Sequence, residues 1–212
     1  MLSPLPRLYP ILDSQSARHR GLASIDAARA MLAGGARILQ FRHKEQWTRE
    51  VFAEAECIAA LCATAGVPFV VNDRADVAAL LHAGLHVGQQ DLLPRDARAV
   101  LGPQSMLGYS THNADQLRAA AGEPADYLAL GPIFSTSSKA NPDTEVGLEN
   151  LRAWRSLTSR PLVAIGGITR RAALDALAAG ADSVAVIGDL LPEAGTLASI
   201  EERMREWQTT LA

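Results

Sequence analysis

Short apolar and β-branched runs recur along the whole chain, and each is followed by a stretch whose apolar residues keep helical spacing. The runs fall at residues 8–12, 38–41, 69–71, 85–87, 106–110, 127–131, 162–165 and 183–187; the helical stretches between and after them fall at 25–33, 49–65, 96–101, 114–121, 148–157, 171–179 and 197–210. Strands apolar on both faces and joined by helices pair in parallel with right-handed crossovers. Eight such units predict a closed (β/α)8 barrel, the α/β TIM-barrel fold, spanning residues 1–212 as a single domain. Each unit then has about 26 residues, which leaves little length for anything else. The rival, an open doubly wound sheet, calls for a Gly-x-Gly-x-x-Gly turn directly after a strand, and the sequence has none. Gly34, Gly35, Gly66, Gly84 and Gly180 each stand between a helical stretch and a strand and are read as left-handed caps. Ser24 is read as a helix N-cap.

Composition narrows the partners. With 48% hydrophobic residues, 20% charged residues and a formal net charge of -3, the chain has neither the signature of disorder nor a basic nucleic-acid footprint. No apolar run nears the roughly 20 residues of a membrane span, and residues 1–13 lack a basic flank before an apolar stretch. The expectation is a cytoplasmic protein with small-molecule partners, no nucleic acid and no membrane. Cys57 and Cys62 are five residues apart on a helix, a rotation of about 140°, so they share no face and imply neither a metal site nor a disulfide. Trp154, Trp207 and Leu211 are read as helix-to-barrel packing in preference to anchors of a homo-oligomer. Of the 20 basic residues only Lys44 and Lys139 are lysines. Arginine cannot always replace a compact ammonium, which singles both out.

In barrels of this kind the chemistry sits at the C-terminal ends of the strands. The second run leads into Gln40-Phe41-Arg42-His43-Lys44, the third into Asn72-Asp73-Arg74, the fourth through Gly88 to Asp91, and the fifth into Ser110-Thr111-His112. The sixth leads through Pro132 to Thr136-Ser137-Ser138-Lys139, the seventh into Gly166-Gly167, and the eighth, through Ile187, into Gly188. Asp73 and Asp91, on adjacent strands, suit one hard cation. Magnesium is held by one or two carboxylates plus phosphate oxygens and water, whereas the plainer reading makes each aspartate a helix N-cap. Arg42, Lys44 and Lys139 beside such a metal describe a diphosphate site, and Gly166, Gly167 and Gly188 a phosphate cradle of backbone N–H groups. With no Ser-His-Asp or Cys-His arrangement in the pattern, such a site would work by orienting two substrates and stabilising a departing anion.

Taken in order at successive strand ends, these residues resemble the thiamine phosphate synthase family, over residues 9–190. The resemblance implies a transferase that joins 4-amino-2-methyl-5-(diphosphooxymethyl)pyrimidine to hydroxyethylthiazole phosphate and releases diphosphate. It implies that Gln40, Phe41, Arg42, His43 and Lys44 contact the pyrimidine diphosphate, as do Asn72, Ser110 and Lys139. Asp73 and Asp91 would hold Mg2+. Thr136, Ser137, Ser138, Gly167, Ile187 and Gly188 would take the thiazole phosphate. Arg42, Lys44 and Lys139 would act catalytically, drawing off diphosphate so that the thiazole nitrogen captures a pyrimidine methyl cation. His43, Ser138 and Gly188 depart from the family's usual Glu, Thr and Ser.

Three rivals share the barrel. A thiazole tautomerase would need a histidine where Pro132 stands, and proline moves no proton. A ligand-binding regulator has little use for two aspartates and two rim lysines together. A Schiff-base aldolase needs a desolvated lysine, whereas Lys44 and Lys139 sit among polar neighbours.

Overall fold

The computed structural model describes residues 5–135, 144–192 and 195–212. Eight parallel strands close into a barrel in sequence order: β1 (Leu8–Asp13), β2 (Leu39–Arg42), β3 (Phe69–Asn72), β4 (Gly84–Val87), β5 (Leu107–Thr111), β6 (Tyr127–Leu130), β7 (Leu162–Ile165) and β8 (Ser183–Val186). The helices are α1 (Ser14–His19), α2 (Ser24–Ala33), α3 (Arg49–Ala65), α4 (Ala75–Leu80), α5 (Pro94–Leu101), α6 (Ala114–Ala119), α7 (Gly147–Trp154), α8 (Arg170–Ala178) and α9 (Leu197–Thr210). The ring closes where Leu8, Tyr9 and Pro10 pair with Val184, Ala185 and Val186.

Side chains alternate across each strand and so divide into two layers. Tyr9, Ile11, Ile38, Val70, Tyr127, Ala129, Val163 and Ala185 fill the barrel interior. Leu8, Leu12, Leu39, Phe41, Val71, Leu85, Val87 and Leu107 face the helices and pack against residues such as Met31, Ile58 and Met204. Each large side chain so buried contributes about 1.5–3 kcal/mol. At the end of the barrel away from the mouth, Asp126 accepts a hydrogen bond from Leu107 N (2.7 Å) and Asp182 one from Leu162 N (2.8 Å), which fixes where β5 and β7 begin.

Local chemistry sets the helix ends. Thr48 and Thr169 cap α3 and α8 through their hydroxyls, and α9 opens on a reciprocal Thr196–Ser199 capping box. Gly66, Gly35 and Gly180 take the left-handed conformation expected of them, but Gly34 (φ −78°) does not, and Gly84 is the first residue of β4. The positive φ before that strand falls instead on His82. Ser24 is the first residue of α2 rather than its cap; the cap is Ala23, with no side-chain bond, because Ser24 is buried. Two six-residue helices, α1 and α4, were not expected from the sequence. Trp207 and Leu211 are buried and Trp154 packs against the same core, which is the packing role expected of them. No helix among the described residues is long and apolar enough to cross a membrane.

Candidate active site

A cavity of about 1440 Å³ opens at the C-terminal ends of the strands. Alternation decides which residues of each strand reach it. On β2, Gln40 and Arg42 point inward and Lys44, two residues further, follows them; all three line the cavity. Phe41 has the opposite parity. It is fully buried in the layer beneath the helices, edge-on to Trp47 with ring centroids 6.1 Å apart, so the structure corrects its placement as a substrate contact. His43 shares that parity: it is buried, with Nδ1 2.8 Å from Ser14 Oγ, and it borders a small side depression with Trp47 and Arg74 rather than the main cavity.

The charged arc is built on β1 to β4. Asp13, at the end of β1, caps α1 by accepting from Ser16 N (2.8 Å) and forms an ion pair with Arg42 through its other oxygen. The two side chains are 6% and 14% exposed, so this pairing fixes the guanidinium in place. Asp13 was missing from the sequence-based site; the signal was a carboxylate at an inward position of β1, in register with Arg42. Lys44 pairs with Asp73, which adopts a left-handed backbone (φ 66°) and donates its N–H to His86 O (2.8 Å). Burial, reinforced by the neighbouring carboxyl of Asp91, pushes Asp73 up to about 6 despite the opposing pull of Lys44. Asp91 accepts from Gly88 N (2.7 Å). Neither aspartate caps a helix: α4 follows Arg74 and α5 follows Leu93, with no side-chain cap at either.

Two carboxyls in contact, one of them reluctant to ionise, fit a divalent cation as a shared counter-charge. Among the described residues no cluster of three or more His, Cys, Asp or Glu could hold a metal by itself. Asp73 and Asp91 would hold a hard ion such as Mg2+ only with oxygens from water or substrate completing its shell.

On the opposite arc, after β7, the lining is formed in part by glycine. Gly166 (φ 97°) and Gly167 (φ 65°) lie where a Cβ would stand 2.5 Å from Pro132 Cβ and 2.3 Å from Ser135 O, respectively. Only glycine fits there, and both residues line the cavity. Gly188 differs, since a Cβ there would meet nothing within 4 Å. Ile187 and Gly188 line this side of the mouth. Thr136, Ser137, Ser138 and Lys139 lie outside the described residues.

Deeper down, Asn72 is 6% exposed and its Nδ2 has no hydrogen-bond partner among the described residues, although it faces the cavity. A buried donor without a partner costs about 1–3 kcal/mol unless a ligand or water satisfies it. Ser110 Oγ lies 2.8 Å from His86 Nε2. The far ring nitrogen meets the Tyr127 phenol (3.0 Å) instead of a carboxylate, so this pair is no Ser-His-Asp triad, in line with the sequence pattern. Neither cysteine lines the mouth, and burial pushes the Cys62 thiol up to about 12.

Paired side-chain cations on one arc and a glycine-lined strand exit on the other make this the mouth of a barrel enzyme that acts on small molecules. The chain belongs to the thiamine monophosphate synthase family, whose model matches residues 8–190. It is 52% identical over 192 residues to the thiamine-phosphate synthase of Koribacter versatilis, covering 88% of this chain and 90% of that one. It is 43% identical over 187 residues to the enzyme of Moorella thermoacetica, covering 88% and 89%. The thiamine phosphate pyrophosphorylase structure from Pyrococcus furiosus superposes with a TM-score of 0.83 at 27% identity, covering 97% of this chain and 95% of that one. A 4-hydroxy-2-oxoglutarate aldolase structure shares the fold alone, at 18% identity and TM-score 0.69, covering 97% and 94%. The tautomerase and regulator readings find no support in these likenesses.

Proposed function

We propose that the protein is a transferase that couples 4-amino-2-methyl-5-(diphosphooxymethyl)pyrimidine with hydroxyethylthiazole phosphate to give thiamine phosphate and diphosphate. The observation that carries this reading is the convergence of Arg42, Lys44, Asp73 and Asp91 on one arc of a mouth whose other arc carries Gly166, Gly167 and Gly188. The pyrimidine ring sits deep, against Gln40, Asn72 and Ser110, with its diphosphate toward the rim. Arg42, held by Asp13, and Lys44 donate to the diphosphate oxygens, and Lys139 adds a third cation. Mg2+ at Asp73 and Asp91 would supply further charge neutralisation to the leaving group. The bond between the exocyclic carbon and oxygen breaks, and its electron pair leaves on diphosphate. The thiazole nitrogen then donates its lone pair to that carbon. Gly167 and Gly188 hold the thiazole phosphate through backbone N–H groups, which sets the nitrogen facing the carbon. No protein nucleophile takes part.

Purified protein given both substrates and Mg2+ should form thiamine phosphate and diphosphate in equal amounts, and a chelator should abolish the reaction. Product formation undiminished in an Asp73→Ala/Asp91→Ala double variant would remove the metal assignment. Isomerisation of the thiazole phosphate without coupling would replace the reading by the tautomerase one.

A further inference from the structure

Five side chains from β1, β2, β4, β5 and β6 form one hydrogen-bonded chain across the barrel interior. Gln40 Nε2 donates to the Tyr9 hydroxyl (3.1 Å), which lies 2.7 Å from the Tyr127 hydroxyl. Tyr127 is 3.0 Å from His86 Nδ1, and His86 Nε2 is 2.8 Å from Ser110 Oγ. The backbone makes room for it: a Cβ on Gly108 would stand 2.1 Å from Tyr127 Cζ and 2.4 Å from His86 Nδ1. Burial pushes both phenols above their ordinary range, Tyr9 to about 12, so each keeps its one proton.

Counting hydrogens gives the chain a direction. A neutral phenol has a single proton to donate. Tyr9 is buried and accepts from Gln40, so among the described residues the acceptor in reach of its own proton is the Tyr127 oxygen. The Tyr127 proton then goes to His86 Nδ1, which leaves the imidazole proton on Nε2, directed at Ser110 Oγ. At one end the Ser110 hydrogen is left over, and at the other Gln40 Oε1 is left as an acceptor. Both residues line the cavity.

We propose that Tyr9, Tyr127 and His86 are positioning residues that fix the hydrogen-bond polarity of the pyrimidine subsite, making Ser110 a donor and Gln40 an acceptor toward the ligand. Such a subsite takes an aminopyrimidine, whose ring nitrogens accept and whose amino group donates. It rejects the 4-oxo counterpart, whose ring N–H and carbonyl reverse both roles. The identity of the ligand rests on the function proposed above; the direction of the chain does not.

Two-bond 1H–15N spectra of protein labelled at histidine, with His86 assigned from its loss in His86→Gln, read that direction without activity. The expected result is a proton on Nε2 and a bare Nδ1; a proton on Nδ1 overturns the proposal. In Tyr127→Phe the KM for the pyrimidine diphosphate should rise about tenfold, with the KM for the thiazole phosphate unchanged. An equal rise in both overturns the positioning role. With wild-type protein, amino and 4-oxo pyrimidine diphosphates competing equally for the site also overturns it. A bare Nδ1 in a protein that performs no coupling would uphold the chain's direction and sink the function reading instead.

Discussion

The two arcs of the mouth present charge in different ways. On β2 the two cations are each held by a carboxylate, Arg42 by Asp13 and Lys44 by Asp73, so their positions depend on pairs that can be broken one at a time. After β7, Gly166 and Gly167 leave no room for a Cβ, so that stretch of the lining is main chain. The first arc gains strength from full charges but carries the cost of burying them. The second gains rigidity, and its tolerance of substitution is set by sterics.

Breaking the Asp13–Arg42 pair tests the first arc most directly. Asp13→Asn keeps the shape but loses the charge, and the KM for the pyrimidine diphosphate should rise roughly 10- to 100-fold, the scale of a charge-assisted hydrogen bond, while that for the thiazole phosphate stays put. Steady-state kinetics with each substrate varied in turn checks this. A smaller effect is expected on the second arc. Gly167→Ala adds a Cβ 2.3 Å from Ser135 O at a positive φ, so urea denaturation should show a loss of about 1–3 kcal/mol, with the thiazole phosphate KM raised and the pyrimidine one spared.

The charged arc should also show in the pH dependence of stability. Asp73 titrates near 6 in the folded chain against 3.8 for an ordinary aspartate. Its folded value is the higher one, so its contribution is fully present below 3.8 and is lost as pH rises through about 6. After a discount for a side chain 19% exposed, the loss is about 1–2 kcal/mol. Denaturation of metal-free protein at pH 5 and pH 8 should reveal about half of it, the rest being lost already below pH 5, and Asp73→Asn should remove the difference. The smallest effect is expected at Gly188→Ser. A Cβ there meets nothing within 4 Å, so Tm should hold while the thiazole phosphate KM falls roughly two- to tenfold through one added hydroxyl bond.

All eight strands were legible because each carries a short apolar or β-branched core, bounded to within a residue or so at either end. The helices α1 and α4 directly follow strand ends rich in polar residues, so the sequence there reads as loop. At the site, a motif read as a contiguous block misled. The stretch from Gln40 to Lys44 is a strand and its exit, so every second residue, Phe41 and His43, turns toward the helices. The residues overlooked, Asp13, Tyr9 and Tyr127, lie within strands rather than beyond them, where polar groups are easily taken for packed core. Their inward parity was present in the sequence. Their partners, drawn from strands far apart in the chain, were not.

The junction of β1 with β8 has a consequence for how the protein is made. Leu8 finds its partner Val184 only when the last strand is in hand. Until then a nascent chain exposes two raw sheet margins, the kind of surface that recruits stray strands. The interval between emergence of β1 and β8 from the ribosome is therefore the time when these margins stand open, and slowing translation near its end would lengthen that exposure.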